Sequence, residues 1–180
     1  MERELEVKVL GIDFDALEEK LKSSGAKFLG REEQENIRIN SEKLKIKSEK
    51  GYFRIRKSLN SITNKTIYQL TFKEQVKDLK VRQSLEHTIQ FDNLEEMISI
   101  LKLIGFNIFN RGYKIRKSYS YKNARFDFDT WDKNSYPSPY LEIELKDKND
   151  LDDLLKEFKI DKKNITTKSI AELRKDLGLE

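Results

Sequence analysis

The stretch ELEVKVL, residues 4–10, alternates charged and apolar side chains without a break. On an extended strand successive side chains point to opposite faces. Glu4, Glu6 and Lys8 therefore share one face, and Leu5, Val7 and Val9 share the other. The pattern returns along the chain. GYFRIRK (51–57) sets Arg54 and Arg56 against Phe53 and Ile55, and YQLTFKE (68–74) sets Gln69, Thr71 and Lys73 against Leu70 and Phe72. VRQSLEHTI (81–89) places Arg82, Ser84 and Glu86 opposite Val81, Leu85 and Ile89. YKIRKSY (113–119) carries Lys114 and Arg116 on one face, RFDFDTW (125–131) carries Arg125, Asp127 and Asp129, and YLEIELK (140–146) carries Glu142, Glu144 and Lys146. With EQENIRI at 33–39, about eight strands are predicted.

Helical spacing appears between them. Phe14, Leu17 and Leu21 predict a helix over 14–24, with Asp13 as N-cap and Gly25 as stop. Leu94, Met97, Ile98 and Leu101 predict a second over 93–104, where Asp92 and Glu95 resemble a capping box and Gly105 ends the element. Shorter patterns lie at 150–158 and 168–177. Strand, helix, glycine and several strands occur in that order from residue 4 and again from about residue 82, with GAKFLGR (25–31) matching GFNIFNR (105–111). This reads as a weak internal duplication. No Pro/Gly-rich linker divides the halves, so one domain over 1–180 is expected.

The 180 residues are 37% hydrophobic and 38% charged, well above the roughly 25% charge of an average domain. Ten Phe, seven Tyr and the regular apolar periodicity argue for a folded chain all the same. The net charge of +4 is too mild to demand an anionic partner. No cysteine is present, which removes disulfides and thiolate metal sites and suits a reducing compartment. No apolar run approaches the ~20 residues of a membrane span, and residues 1–8 do not read as a signal peptide; a cytoplasmic protein is expected.

Strands that lean antiparallel, with helices early, midway and late, suggest a closed β-barrel of α+β class. The apolar faces are rich in Phe, Leu, Ile and Tyr and need the helices as cover, which turns the charged faces toward a lumen. The ordinary alternative leaves those charges in water. Against it, the strand centres are nearly pure acid or pure base. Arginine forms planar, bidentate contacts with phosphate oxygens. Glu4/Glu6 and Glu142/Glu144 bring carboxylates within about 7 Å along a strand, and such pairs repel unless a cation such as Mg²⁺ or Mn²⁺ lies between them.

On these residues the chain resembles the CYTH superfamily, or triphosphate tunnel metalloenzymes, which includes class IV adenylate cyclases, thiamine triphosphatases and inorganic triphosphatases. Glu4-x-Glu6-x-Lys8 resembles the family's opening strand, Arg54-x-Arg56 its Arg-x-Arg strand, and Leu70-Thr71-Phe72-Lys73 its Leu-Thr-x-Lys strand. Lys114-x-Arg116 is similar to the basic strand of the second half, Asp129 to the acidic strand after it, and Glu142-x-Glu144 to the closing Glu-x-Glu. The resemblance covers roughly residues 2–146. Two positions depart from it: Asn36 and Arg38 stand where the family often has Asp and Tyr, and Ser84 replaces a carboxylate in the strand of Arg82 and Glu86.

The resemblance implies an eight-stranded antiparallel tunnel. It implies that Glu4, Glu6, Asp129, Glu142 and Glu144, with Glu86 of second rank, hold Mg²⁺ or Mn²⁺. It implies that Lys8, Arg54, Arg56, Lys73, Lys114 and Arg116, with Arg82 of second rank, clamp a triphosphate. The expected activity is metal-dependent hydrolysis of a triphosphate compound, with a metal-oriented water as nucleophile and no protein general base. An adenylate cyclase using the same clamp is the near alternative. A nucleic-acid or polyphosphate binding module is the distant one, because the basic residues and Tyr113, Tyr119 and Tyr121 alternate to opposite faces where an RNA-binding sheet would share one. No nucleic-acid or membrane partner is expected, and the oligomeric state is open, a homodimer included. Lone His87 falls on the apolar parity and reads as a packing or rim residue, and Trp131 reads as core or as cover for a barrel end.

Overall fold

A computed structural model of the protein describes residues 1–44, 50–76 and 80–179. The first half runs β1 (Glu2–Leu10), α1 (Phe14–Ser23), β2 (Lys27–Asn40), β3 (Gly51–Asn60) and β4 (Lys65–Val76). The second repeats that order as β5 (Arg82–Phe91), α2 (Leu94–Leu103), β6 (Ile108–Tyr121), β7 (Ala124–Trp131) and β8 (Tyr140–Leu145). It is followed by α3 (Leu151–Phe158), the two-residue β9 (Ile165–Thr166) and α4 (Ile170–Asp176).

The sheet order is β5-β4-β3-β2-β6-β7-β8-β1-β9, and β1 also pairs with β5, so eight strands close into an antiparallel barrel. Closure is shared along β1: Glu2–Glu6 pair with β5, and Glu6–Leu10 pair with β8. Beyond the end of β5, β9 takes up that edge against Lys8 and Val9. The long β2–β6 pairing breaks register between Phe28 and Gly30. Gly30, at this bulge, has φ +124°, a conformation open to glycine.

Alternation decides which face goes where. Leu5, Val7 and Val9 of β1 pack outward with Phe126, Phe128, Leu141 and Ile143, and α1 and α3 cover them through Leu17, Leu21, Leu154, Leu155 and Phe158. On another side Ile37, Ile39 and Ile55 lie beneath Leu101 of α2 and Phe106. A third cluster joins Tyr136 and Tyr140 to Leu173 of α4. The cover is incomplete: Ile89 of β5 and Tyr113 of β6 are 57% and 56% exposed on the outer face. Helix starts follow local chemistry. Asp13 caps α1 by accepting from the Ala16 amide at 3.1 Å, as the sequence predicts. For α2 the cap lies one residue later than predicted: extended Asn93, not Asp92, accepts from the Glu96 amide at 3.0 Å. Ser169 and Glu172 form a reciprocal capping box on α4.

Candidate active site

With the apolar faces outside, the charged faces of all eight strands line one cavity of about 1030 Å³. In a ring of eight, β2 stands four strands from β1 and β3 stands four from β8. The acidic strands β1 and β8 therefore face Asn36, Arg38, Arg54 and Arg56 across the lumen.

The acidic wall is crossed by cations. Lys8 Nζ lies 3.1 Å from Glu6 and 3.0 Å from Glu142. Lys73 pairs with Glu4, and also reaches Glu86 at 3.2 Å and Glu6 at 3.6 Å. Arg82 Nε sits 3.2 Å from Glu6, and its guanidinium extends toward Glu172 of α4 at 3.6 Å. Ser84, in the position of the missing carboxylate, donates its hydroxyl to Glu4 at 2.9 Å. Burial raises the carboxyls, and the outcome depends on neighbours. Lys73 carries Glu4 below its ordinary pKa in spite of burial, and Lys8 and Arg116 carry Glu142 well below it. Glu6 is raised to about 7 by burial and by Glu142, and Glu144 to about 7 by burial and by Glu4. Burial lowers Lys8 and Lys73, but their carboxylates outweigh it and raise both.

A second ionic knot lies on β6, β7 and β8. Arg116 binds Asp127 at 2.6 Å, Asp129 at 2.7 Å and Glu142 at 2.5 Å, and Lys114 binds Asp129 at 2.8 Å. Asp129 is fully buried and stands behind these two cations, outside the cavity lining. Asp127 pairs with Arg125 at 2.8 Å as well as with Arg116. Lys114 is pulled down to about 7 by burial and by the positive charge of Arg116, in spite of Asp129.

Across the lumen the cations lack such partners. Among the described residues Arg56 makes one side-chain hydrogen bond, from Nε to Asn36 Oδ1 at 3.1 Å. Its pKa is lowered to about 10 by burial and by Arg54. Among the described residues Arg54 has one distant ion pair, to Glu86 at 3.8 Å, and its buried Nε finds no hydrogen-bond partner. Asn36 is 7% exposed, lines the cavity, and its Nδ2 is also unpartnered. The arrangement thus sets a wall of hydrogen-bond donors opposite a wall of oxygen acceptors.

The metal question turns on the donor set. Glu4, Glu6, Glu142 and Glu144 supply oxygen ligands of the kind Mg²⁺ and Mn²⁺ take, all in one cavity. Burial and a neighbouring carboxylate raise two of them, Glu6 and Glu144, to about 7. Among the described residues no three carboxylates converge as a ready-made site, because lysines stand between them. The oxygen donors are of the kind a hard divalent cation takes.

The cavity also takes in residues not anticipated as site members: Trp131, Tyr140, Arg38, Tyr52, and Arg174 of α4. Strand parity could have found the first four, since Trp131 and Arg38 follow Asp129 and Asn36 by two, and Tyr140 and Tyr52 precede Glu142 and Arg54 by two. His87 is exposed on the outer parity, 3.8 Å from Glu74.

A CYTH domain family model matches residues 2–172 of the chain. No curated protein matches it by sequence. Among solved structures it resembles protein PH1012 of Pyrococcus horikoshii OT3, at 24% identity and TM-score 0.74, with 94% of this chain and 98% of that one covered. A candidate adenylate cyclase of Vibrio parahaemolyticus superposes with TM-score 0.72 at 14% identity, covering 96% of this chain and 97% of that one. HpAC1 from Hippeastrum, for which a dominant triphosphatase activity is given, superposes with TM-score 0.62 at 18% identity, with 89% of each chain covered. These likenesses are of fold, and the match to the family model over nearly the whole chain shows that the chain belongs to the CYTH domain family.

Proposed function

We propose that the protein hydrolyses a triphosphate compound inside the barrel, with the help of a divalent metal ion. The observation that supports this most is the polarity across the lumen. Among the described residues Arg54 and Arg56 have one ion pair between them, the distant contact of Arg54 with Glu86, and they face four carboxylates across the lumen, of which Glu6 and Glu144 are raised to about 7 by burial and by neighbouring carboxylates. Buried unpaired charge is costly, and a polyanion bound with a divalent cation relieves both walls at once.

In this reading Arg54 and Arg56 bind phosphate oxygens by charge-assisted hydrogen bonds. Lys8 and Lys73 are shared between the carboxylates and the phosphates, and Lys114 and Arg116 are held in place by Asp129, which acts from behind them. Arg82 ties Glu6 to α4, and Glu86 orients Lys73. Mg²⁺ or Mn²⁺ held by Glu4, Glu6, Glu142 and Glu144 would neutralise charge and activate water. Cleavage of the terminal P–O bond leaves negative charge on the bridging oxygen, within a field of fixed guanidinium groups that need no reorganisation.

The test is a product assay. Tripolyphosphate, ATP and thiamine triphosphate are each incubated with Mg²⁺ or Mn²⁺, and orthophosphate, pyrophosphate and cyclic AMP are measured. Metal-dependent release of orthophosphate is expected. Cyclic AMP with pyrophosphate from ATP would instead make the protein a cyclase, and no turnover of any of the three would remove the assignment.

A further inference from the structure

The two halves of the chain supply a comparison within one molecule. Helices α1 and α2 have ten residues each and end alike. The Gly25 amide donates to the Lys22 carbonyl and the Ala26 amide to that of Leu21, both at 3.0 Å. In the second half Gly105 donates to Lys102 at 3.0 Å and Phe106 to Leu101 at 2.9 Å. This shared stop fixes which residues correspond. Leu17 and Leu21 of α1 match Met97 and Leu101 of α2, and each pair packs on its own side of the barrel.

On the far side of the helices the match fails. Lys20, Ser23 and Ser24 of the first half are polar and exposed, as a helix face in water is. Their counterparts are Ile100, Leu103 and Ile104, and these are 47%, 87% and 59% exposed. Spaced as i, i+3 and i+4, they form one stripe, which scattered single leucines would not. Leu44 extends it: a Cβ on Gly105 would stand 3.4 Å from Leu44 Cδ1, and Leu44 is itself exposed. The surroundings differ as well. α3 joins α1 over one apolar cluster, whereas among the described residues α2 covers its cluster without a second helix. α2 thus carries apolar side chains toward the barrel and away from it, and only the first set is covered.

The charges along α2 indicate what covers the second. Glu95 lies in its first turn and Lys102 in its last. Seven residues make two turns, so both stand on the same flank of the helix. A second α2 laid antiparallel on the first, about a two-fold axis, brings each Glu95 toward the partner's Lys102. A parallel arrangement would set acid against acid and base against base. The antiparallel one also places the positive N-terminal end of each helix dipole beside the negative C-terminal end of the other. Ser99, between the charged residues, is small and turns its hydroxyl back to the Glu95 carbonyl at 2.9 Å, so it does not hold the helices apart.

We propose that α2 is the contact face of a homodimer, in which two copies pack α2 on α2 antiparallel about a two-fold axis. Ile100, Leu103 and Ile104 form its apolar centre, and Glu95 and Lys102 pair across its rim. The face lies outside the barrel wall, so this pairing is independent of what the lumen binds.

The test is the mass of the whole protein in solution, followed by sedimentation velocity from low to high micromolar concentration. A species of twice the 21.4 kDa chain is expected, growing with concentration. Giving α2 the residues of α1, as I100K/L103S/I104S, should leave a monomer with an unchanged far-UV spectrum, since these side chains lie outside the core. The charges are tested separately. E95K and K102E should each weaken the dimer severalfold, and E95K/K102E together, which restores opposite signs across the axis, should recover most of the loss. A monomer at every concentration would overturn the proposal and leave the stripe to a different partner. A dimer that persists in the triple variant would place the contact elsewhere and overturn it equally. No recovery in E95K/K102E would overturn the antiparallel pairing.

Discussion

Glu6 is almost sealed from solvent and touches three cations, yet its pKa is raised to about 7 because burial and Glu142 outweigh them; Glu144 reaches about 7 through burial and Glu4. In the unfolded chain both ionise near 4.5. Between those values the folded protein keeps protons that the unfolded chain has released, so these groups make stability fall as pH rises through the window. Lys114, lowered from 10.5 to about 7 by burial and Arg116, acts above it: there the unfolded chain holds the extra proton, and stability recovers as pH rises. The urea midpoint of the ligand-free protein is expected to be lowest near neutrality, and E144Q should flatten the acid side. A midpoint that climbs steadily from about pH 5 to 7 would contradict this. Arginine is tested one strand position at a time. R54A and R56A should each weaken tripolyphosphate binding roughly ten- to hundredfold, the worth of a charge-assisted contact, whereas K57A, exposed on the opposite parity, should have little effect in the same calorimetric titration. Parity in the sequence brought Glu4, Glu6, Arg54, Arg56, Lys73 and Glu142 to one lumen, since period two reports which way a side chain points. It could not show that Asp129 lies behind Lys114 and Arg116, because depth within an inward face depends on which neighbour covers which.

At the scale of elements, hydrophobic periodicity located every barrel strand, and its errors fall at the ends. Alternation marks 33–39 and 113–119, while the strands run Lys27–Asn40 and Ile108–Tyr121, where polar and glycine residues dilute the pattern and backbone pairing alone extends the ladder. The cap of α2 was off by one because Asp92 and Asn93 are both good caps and only the backbone angles choose between them. Two-residue β9 carries no periodicity to read; it exists because the upper half of β1 outruns β5. α3 shows the reverse, with Leu151, Leu154, Leu155 and Phe158 all buried on one face. Phe158 sets its ring 5.3 Å from both Phe126 and Tyr121. F158A leaves a cavity between α3 and the outer wall of the barrel and should cost about 3–5 kcal/mol in urea unfolding. Because those residues face away from the lumen, affinity for tripolyphosphate in the folded fraction should be kept. A loss below about 1 kcal/mol would mean that α3 does not seal the barrel wall.

The whole molecule is a barrel turned inside out relative to an ordinary sheet protein: apolar faces outward under helices, charge within. Burying charge costs stability, and the cost is unequal on the two walls. The wall of Glu4, Glu6 and Glu142 has Lys8, Lys73, Arg82 and Arg116 to neutralise it, while across the lumen Arg54 has the distant Glu86 and Arg56 makes no ion pair among the described residues. A ligand that spans the lumen gives both walls partners, and a short one serves a single wall. Binding to the native state alone stabilises it by RT ln(1 + [L]/Kd), about 2.7 kcal/mol at a hundredfold excess over Kd. For a chain of this length that corresponds to a rise in Tm of roughly 5–10 °C. Tripolyphosphate with Mg²⁺ should produce a shift of that order. Orthophosphate with Mg²⁺, at matched ionic strength, should produce a fraction of it, because a single phosphate cannot reach Arg54 and Arg56 while also meeting a cation on the acidic wall. Charges scattered over an outer surface would respond to both through weak, screened attraction and show no preference for chain length. Equal shifts from the two ligands in a thermal scan would therefore mean that the opposed walls do not act together on one bound molecule.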